Sequence, residues 1–416
     1  MRSKRQEFRR AWPVLVASAM GAGTGVAPLA FYSLGAFVDP LGNEFGWSRA
    51  QVTASLGFLT VATLLVGAAV GALADRYGAR KVALISQVLL VLALAAMSLL
   101  TSQVWTLYAG YFLLAILGAG TLPIIWSRPI IGWFVRSRGL ALGLSLVTTG
   151  LCGALLPSYV SWLTSEVGWR GAYIGLAALP LLLGIPVVIL LFREPPPEMP
   201  SLPAFAAAGN RTLDANDYTF RDALRTWRFW QMSLAFFLAA SAIGAVLVHS
   251  LPLLMDRGIE RGTAAALAGL LGLAVTFGRL ISGYCLDIFG GPRVAFIMFA
   301  APALACVLLT VSGNNLFLCG LAIFLVGLAA GAEYDIAAYF TAHYFGQRHY
   351  GAIYGLVYTL YGVSTGFSPL IAGAVFDATG SYHTALYAGA VIFLVAAVLA
   401  GTLKWTPRAG TEPAIV

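Results

Sequence analysis

The chain has 416 residues, of which 59% are hydrophobic and only 10% are charged. Soluble proteins carry about 25% charged residues, so the composition excludes an ordinary soluble domain and predicts an all-α membrane protein. The net charge is +8, but its placement argues against nucleic-acid binding. Nineteen of the 25 Arg and Lys residues fall on the termini, the central linker and alternate short loops, against four on the opposite loops. This asymmetry predicts that both termini lie in the cytoplasm.

Gly, Pro and charge clusters divide the chain into twelve apolar runs, and a membrane-spanning helix needs about 20 such residues. The first run follows a basic start, as in a signal peptide, but it is too long for the apolar core of one. The sequence therefore predicts twelve membrane-spanning helices. The predicted spans are 12–38, 48–73, 82–101, 106–134, 139–163 and 169–192, then 229–255, 263–287, 294–312, 316–345, 351–377 and 384–404.

A polar segment, residues 193–228, separates two predicted six-helix bundles, residues 1–192 and 229–416. Its run of three prolines and its scattered charges predict an extended cytoplasmic linker. At its end, apolar residues recur on one helical face between charged ones. That pattern is typical of a short helix on the inner membrane surface, and an amphipathic loop helix without function is the alternative.

A polar segment between the second and third spans recurs between the eighth and ninth, 212 positions later. The two copies are Gly71-Ala-Leu-Ala-Asp75-Arg76-Tyr-Gly78-Ala-Arg80-Lys81-Val82 and Gly283-Tyr-Cys-Leu-Asp287-Ile-Phe-Gly290-Gly-Pro-Arg293-Val294. The same offset relates Gly143 to Gly355 and Pro157 to Pro369. Self-similarity over half the chain predicts duplicated, pseudo-symmetric bundles, the architecture of secondary transporters.

The two repeated loops are predicted to gate the cytoplasmic side. Asp75 and Asp287 each end a span, and a carboxylate beside a helix N-terminus is stabilised by the helix dipole. Each loop would latch one helix against another in one state and release it in the other; a solvated turn with a helix cap is the alternative. The predicted gating residues are Gly71, Asp75, Arg76, Gly78, Arg80, Lys81, Gly283, Asp287 and Arg293.

Four ionisable residues stand out well inside the apolar runs: Arg128, Arg279, Glu333 and Asp335. Charges there cost several kcal/mol, which makes these residues functional candidates. Both arginines lie about 12 Å into the membrane, counted from the nearest cytoplasmic charge. We expect Arg279, with Arg128, to bind an anionic substrate and Asp335 or Glu333 to carry a proton. The repeat places Arg128 and Asp335 on equivalent helix faces, which predicts that they pair; purely structural salt bridges are the alternative.

Aromatic residues within the predicted spans add further candidates. Span 11 carries Tyr354, Tyr358 and Tyr361 on one face. A mid-span tyrosine needs a hydroxyl partner, so this face contacts protein or a cavity rather than lipid. We predict that Tyr358 and Tyr361 contact the substrate, with Tyr32 of span 1 and Trp126 of span 4; packing is the alternative for each.

Sequence motifs of other function classes are absent: the chain has no G-x-x-x-x-G-K-[ST] loop, no H-E-x-x-H and no G-x-S-x-G. Its four cysteines lie in apolar runs without metal-ligand spacing. The sequence therefore predicts that the chain is not an enzyme and uses no cofactor or metal, so that an ion gradient would drive any uphill transport.

Over nearly its whole length the chain resembles the major facilitator superfamily, on the loop Gly71–Lys81 and its echo at 283–293. The resemblance implies two six-helix bundles, alternating access, and a contact of Asp75 with the start of helix 11 that steadies the outward-facing state. Three segments resemble the monocarboxylate-porter and oxalate/formate-antiporter branch, in which a helix-8 arginine binds carboxylate. They are Phe31-Tyr-Ser-Leu-Gly-Ala-Phe-Val, Glu44-Phe-Gly-Trp-Ser-Arg49-Ala and Gly278-Arg279-Leu-Ile-Ser-Gly283.

The chain departs from that branch at three charged positions. Residues 12–38 contain no lysine or arginine, whereas the branch has a helix-1 lysine. The aspartate expected one turn before the helix-8 arginine is replaced by Val275. Tyrosines stand on the face where oxalate exchangers carry a helix-11 lysine.

Together these features predict a monomeric, multi-pass secondary transporter of the bacterial inner (plasma) membrane. It would move a small organic anion, a carboxylate, by alternating access, with protons or a counter-anion as the coupled species and the lipid bilayer as its solvent. Two alternatives stay open. One is a drug or metabolite exporter of the same fold, a proton antiporter. The other is a transport-dead membrane sensor, which would lose the charges within the spans.

Overall fold

The computed structural model of the chain describes residues 4–195 and 218–404, which form helices and, within those ranges, no β-strand. Residues 196–217, most of the predicted linker, lie outside the described residues. The α-helices are α1 Lys4–Gly23, α2 Val26–Phe45, α3 Arg49–Tyr77, α4 Ala79–Ala96, α5 Val104–Leu117, α6 Pro123–Trp133, α7 Arg138–Leu179, α8 Ile185–Leu191, α9 Phe220–Leu224, α10 Trp227–Met255, α11 Arg261–Phe289, α12 Gly291–Val311, α13 Leu316–Phe345, α14 Tyr350–Thr379 and α15 His383–Gly401.

These helices make twelve spans, as the sequence predicts. Ten described stretches are long and apolar enough to cross a membrane. One of them, Arg138–Leu191, holds two spans, because the backbone leaves the helical conformation at Gly168 (φ 71°, ψ 171°). The remaining span joins α5 and α6 across a short break. In chain order, spans 1 to 12 are α1–α2, α3, α4, α5–α6, α7 before Gly168, α7 after Gly168 with α8, and then α10 to α15.

Local sequence sets where the spans begin and end. Ser48 starts span 2 with a capping box, in which its side chain and that of Gln51 each bond the other's backbone N–H. Span 3 follows span 2 after the single residue Gly78, whose φ of 90° disfavours any residue with a Cβ. Gly290, with φ 82°, makes the same one-residue turn between spans 8 and 9. The sequence repeat is therefore also a repeat of backbone conformation.

One compact unit, unit 1, comprises residues 4–135, 144–195 and 347–359 of the described chain. Within it span 2 packs along span 4, and span 1 packs on spans 4 and 6. Aromatic contacts fill its interior, with Phe37 of span 1 stacked on Tyr173 of span 6 at a centroid distance of 4.1 Å. Unit 1 thus combines spans 1 to 4, most of span 5, span 6 and the start of span 11.

The other unit, unit 2, comprises residues 136–143, 218–346 and 360–404. In it span 10 packs along span 8, and span 12 packs on spans 7 and 9. An apolar cluster, here called the unit 2 core, joins spans 7, 9, 10 and 12. Its buried members are Ala242, Ile243, Val246, Leu253, Ala303, Ala305, Cys306, Leu309, Ala322, Val326, Ala329, Ala330, Leu386, Ala390 and Phe393. Unit 2 thus combines spans 7 to 10, span 12, most of span 11 and the start of span 5.

Candidate substrate site and loop contacts

Arg279 of span 8 is buried inside unit 2 and pairs with a carboxylate from span 10. Its Nη1 lies 3.4 Å from Oδ1 of Asp335, whose side chain is fully buried, while the side chain of Arg279 is 6% exposed. The guanidinium lies over the ring of Tyr334, 5.7 Å from its centroid, and that ring packs against Tyr361 at 4.6 Å. The structure therefore brings together predicted residues Arg279, Asp335 and Tyr361.

Two polar atoms of this pair are buried and have no hydrogen-bond partner within the described residues: Nε of Arg279 and Oδ2 of Asp335. The first is a donor and the second an acceptor. Leaving such groups unsatisfied costs free energy, about 1–3 kcal/mol each and more for charged groups. The pair therefore retains unused capacity for an anion on the guanidinium and for a donor on the carboxylate.

Close helix packing fixes where the two charges stand. A Cβ atom added to Gly331 would lie 2.1 Å from the Val275 carbonyl oxygen, and one added to Gly278 would lie 2.2 Å from that of Leu328. Small residues let helix backbones approach in this way in a membrane. Spans 8 and 10 therefore hold Arg279 and Asp335 on two backbones that touch.

Arg128 occupies a different environment from the one predicted. Its Nε lies 3.0 Å from Oδ1 of Asp75, and its Nη1 lies 3.5 Å from Oε2 of Glu194. The predicted pairing with Asp335 is therefore wrong for this structure, since each residue has its ion-pair partner elsewhere. Arg128 lies about 8 Å along the helix from Trp133, where α6 ends, and its side chain reaches the end of span 2.

Asp75 also binds the start of span 11, inside unit 1. Its Oδ1 accepts from the backbone N–H of Gly351 at 3.1 Å, and its Oδ2 accepts from that of Ala352 at 3.0 Å. The first N–H groups of a helix have no partner within the helix, and the positive end of its dipole favours a carboxylate. The contact implied by the family resemblance is therefore present.

Asp287 makes the equivalent contact inside unit 2. Its Oδ1 accepts from Gly139 N–H at 2.7 Å and its Oδ2 accepts from Leu140 N–H at 3.0 Å, at the start of span 5. Each residue of this contact lies 212 positions along the sequence from its counterpart in the Asp75 contact. We call these two arrangements the Asp75 latch and the Asp287 latch.

Glycines let the helices of each latch touch. A Cβ atom on Gly71 would lie 2.0 Å from the carbonyl oxygen of Gly351, and one on Gly283 would lie 2.5 Å from that of Gly139. No other residue fits at these positions without moving a backbone. The glycines of the repeated loop are thus explained by contact between helices as well as by turns.

The other predicted loop residues support the turn. Arg76 stacks over the ring of Tyr77 at 5.3 Å. The backbone N–H of Arg80 donates to Oε1 of Glu194 at 2.9 Å, and its guanidinium donates to the Ile189 carbonyl at 2.6 Å. Lys81 and Arg293 are exposed.

The remaining aromatic candidates separate into two kinds. Trp126 is fully buried in unit 1, where its ring fills the space over Gly21 and its Nε1 donates to the Thr121 carbonyl at 2.8 Å. These contacts are those of a packed side chain, and substrate contact by Trp126 stays a prediction. Tyr358 is 8% exposed, and Tyr32 is half-buried against Gly153 of span 5. Substrate contact by these two tyrosines stays a prediction.

Sequence reasoning missed two residues that the structure adds to these sites, Tyr334 and Glu194. Tyr334 adjoins Asp335 in the sequence, but its approach to Arg279 depends on how spans 8 and 10 pack. Glu194 follows span 6 directly, where the sequence predicts the start of the linker. A charged residue at the end of a span, near a cation-rich loop, was the available signal.

The model of the Major Facilitator Superfamily matches residues 20–361 and 256–415 of the chain. Human monocarboxylate transporter 11 is 28% identical over 420 residues, covering 96% of this chain and 84% of its own length. Human monocarboxylate transporter 6 is 25% identical over 94% of this chain and 79% of its own length. The agnestins efflux protein of Paecilomyces divaricatus is 23% identical over 78% of this chain and 71% of its own length.

Among solved structures, the E. coli fucose:proton symporter superposes with a TM-score of 0.71 at 17% identity, covering 95% of this chain and 98% of that one. The human organic anion transporter MFSD10 gives 0.71 at 17% identity, with 94% and 99% covered. These likenesses establish the fold, and the family model establishes the membership. The chain belongs to the Major Facilitator Superfamily, and it is a multi-pass membrane transporter, not an enzyme.

Proposed function

We propose that the protein is a secondary active transporter that moves small monocarboxylate anions, coupled to protons, by alternating access. The observation that carries the proposal is Arg279, a buried guanidinium whose Nε has no partner in the described part of the chain. Its carboxylate neighbour Asp335 balances its charge in the absence of substrate. Similarity to monocarboxylate transporters over most of the chain supports the same substrate class.

The pair suggests how an anion would bind. A guanidinium recognises a carboxylate through two parallel N–H···O bonds, and the Nε edge of Arg279 is free for one of them. The rings of Tyr334 and Tyr361 would form a wall for the substrate's carbon skeleton. Tyr358 and Tyr32 remain candidates for further contacts. Because one guanidinium matches one carboxylate, the site suits a monocarboxylate better than a dicarboxylate.

The latches suggest how access would alternate. Each holds the N-terminus of a helix by two backbone N–H bonds to one aspartate, and such bonds can break and re-form as helices move. Arg128 would then act on the Asp75 latch rather than on substrate. In this proposal the latches lie on the cytoplasmic side of the bacterial inner membrane, with both termini in the cytoplasm and the protein working as a monomer.

Export is the second candidate. The similarity to an efflux protein supports it, and an exporter of this fold would use its buried acids to recognise a cationic substrate. The two candidates differ in the sign of the substrate's charge.

Uptake by proteoliposomes tests the proposal. Purified protein would be offered labelled short monocarboxylates, matched dicarboxylates, the corresponding neutral amides and organic cations, with and without a pH gradient. We expect saturable, gradient-stimulated uptake of monocarboxylates alone. Transport of the amides at an equal rate, or of the cations only, would contradict the carboxylate site at Arg279.

A further inference from the structure

Glu333 is a second carboxyl group buried within span 10, and its surroundings differ from those of Asp335. Its side chain has no exposed surface. Neither Oε1 nor Oε2 has a hydrogen-bond partner among residues 4–195 and 218–404. Asp335, two positions on, has the guanidinium of Arg279 at 3.4 Å. One carboxyl is thus neutralised by a cation and the other is not.

The helix register places Glu333 on the face of span 10 that packs into the unit 2 core. Residues three, four and seven apart share a helix face. Ala329, Ala330 and Val326 precede Glu333 by four, three and seven positions, and all three belong to that core. Phe340 follows it by seven positions and packs edge-on against Phe236 of span 7 at 6.0 Å. Glu333 is therefore bracketed on both sides by apolar contacts.

The helices that meet at this core bring no described cation to it. Cys306 is the one titratable residue among its buried members, and Tyr382 packs against this core. The histidine of span 7, His249, lies between the Tyr382 hydroxyl and the Pro369 carbonyl. Among the side chains that the structure describes, the other titratable groups of spans 7, 8, 9 and 12 lie near helix ends or in the site already described; they are Arg228, Arg293, His383, Tyr387, Arg279, Tyr284, Cys285 and Asp287.

A carboxylate ion in such a place would be costly. Burying an ionised carboxylate without a partner costs far more than burying a neutral polar group, and within a membrane the cost is several kcal/mol. The packing of this state therefore fits the neutral carboxylic acid. Loss of that proton would drive the side chain toward water, which requires span 10 to move against spans 7, 9 and 12.

Such a movement would reach the anion site. Span 10 is in backbone contact with span 8 at Gly331 and Gly278, so the two helices shift together. Arg279 is carried by span 8 and paired to span 10. A change of protonation on one face of span 10 is thus linked mechanically to the guanidinium on the other.

We propose that Glu333 is the proton-carrying residue of this transporter, and that Asp335 serves only to balance Arg279. The inference rests on the proposed function, and it assigns proton transfer to Glu333 and charge balance to Asp335. In each cycle one proton from water binds a Glu333 carboxylate oxygen, and one monocarboxylate anion binds Arg279. The pair crosses without net charge, and the proton returns to water on the other side.

Glu333→Gln separates the two tasks. A permanently neutral side chain should leave substrate-for-substrate exchange within about twofold of wild type, because exchange needs no proton release. Accumulation driven by a pH gradient should fall at least tenfold. Asp335→Asn is the matched control on the same helix, and it should impair exchange itself, because it removes the counter-charge of Arg279.

Two results would overturn the inference. One is gradient-driven accumulation by Glu333→Gln equal to wild type, which would place the proton elsewhere. The other is loss of exchange by a folded Glu333→Gln protein, which would make the residue part of substrate handling. A wild-type protein that neither exchanges nor accumulates monocarboxylates would instead refute the proposed function.

Thermal stability tests the inference without any substrate. It can be measured even if the wild type transports no monocarboxylate or the glutamine variant fails to insert. Glu333→Met, apolar and of similar volume, suits the same core. Deprotonation of Glu333 would leave a charge without a partner in the unit 2 core, whereas methionine cannot deprotonate. Stability of the wild type should therefore fall as pH rises. We expect its Tm between pH 5 and 8 to fall by several degrees more than that of Glu333→Met; equal slopes would overturn the inference.

Discussion

Replacement of Gly71 by alanine tests whether the contact between spans 2 and 11 belongs to one state of a transport cycle. The added Cβ atom would lie 2.0 Å from the carbonyl oxygen of Gly351 and 2.4 Å from its carbonyl carbon. Non-bonded carbon atoms prefer about 3.5–4.0 Å. The obstructing atoms are backbone and cannot rotate away, so the two helices must separate by at least about 1 Å.

That separation is enough to open the Asp75 latch. Its hydrogen bonds of 3.1 and 3.0 Å would lengthen to about 4 Å, beyond hydrogen-bonding distance. Overpacking of a close contact costs about 1–3 kcal/mol. If the contact exists in only one state, this cost favours the other states by about 5- to 150-fold. If it exists in all states, the same cost appears as lost stability.

Gly57→Ala is the matched control in the same span, because a Cβ atom there meets no described heavy atom within 4 Å. Labelling of single cysteines placed beside the Asp75 latch, at the ends of spans 2 and 11 that it joins, reports the opening in a background without the native cysteines. Gly71→Ala should raise labelling and Gly57→Ala should not. Gly283→Ala, with Gly269→Ala as control, should repeat the result at the Asp287 latch. Equal labelling of Gly71→Ala and Gly57→Ala would refute the reasoning.

Three further substitutions test the charged residues. Arg279→Lys should lose at least nine-tenths of carboxylate uptake at normal expression, because lysine lacks the planar guanidinium that can form two parallel hydrogen bonds. Near-normal uptake would show that Arg279 does not bind the substrate carboxylate in this way. Asp335→Asn should lower Tm more than the double variant Arg279→Gln/Asp335→Asn does. The single change leaves the Arg279 charge buried without a partner, which costs about 3–5 kcal/mol. Additive Tm changes would mean that the two residues are not coupled. Asp75→Asn should increase labelling of the cysteines beside the Asp75 latch, since it loses one charge-assisted bond and the pair with Arg128, each worth about 1.5–3 kcal/mol; unchanged labelling would make the loop a simple turn.

The features that the sequence predicted well depend on short-range or periodic signals. Twelve spans follow from runs of apolar residues, because lipid forces every backbone group to bond within its own helix. The two latches follow from a repeat that preserves Asp75 and Asp287 together with their glycines. The prediction that Arg279 and Asp335 lie within the spans needed only their distance from the nearest loop.

The features that it predicted poorly depend on how helices pack. The repeat predicts that Arg128 pairs with Asp335, whereas its guanidinium pairs with Asp75 at the end of span 2. Trp126 carried the same aromatic signal as Tyr361, yet only its packing over Gly21 shows that it belongs to a core. Helix ends and helix faces near a break, as between α5 and α6, are not fixed by periodicity alone.

The relation between Arg279 and Asp335 shows what packing adds to a sequence. The related branch places an aspartate one turn before its arginine on the same helix, and this chain has Val275 there. Gly331 of span 10 is in backbone contact with Val275 of span 8. These two residues are 56 positions apart in the sequence, and so are Arg279 and Asp335. Spans 8 and 10 therefore run parallel in a fixed register, and the carboxylate arrives from the neighbouring helix. A partner on the same helix would stay with the arginine however the helices moved. A partner on span 10 keeps its distance from Arg279 only while that register holds. Because Glu333 packs on the opposite face of span 10, a movement of span 10 caused by Glu333 would change how far Asp335 neutralises Arg279, and therefore how strongly Arg279 attracts an anion.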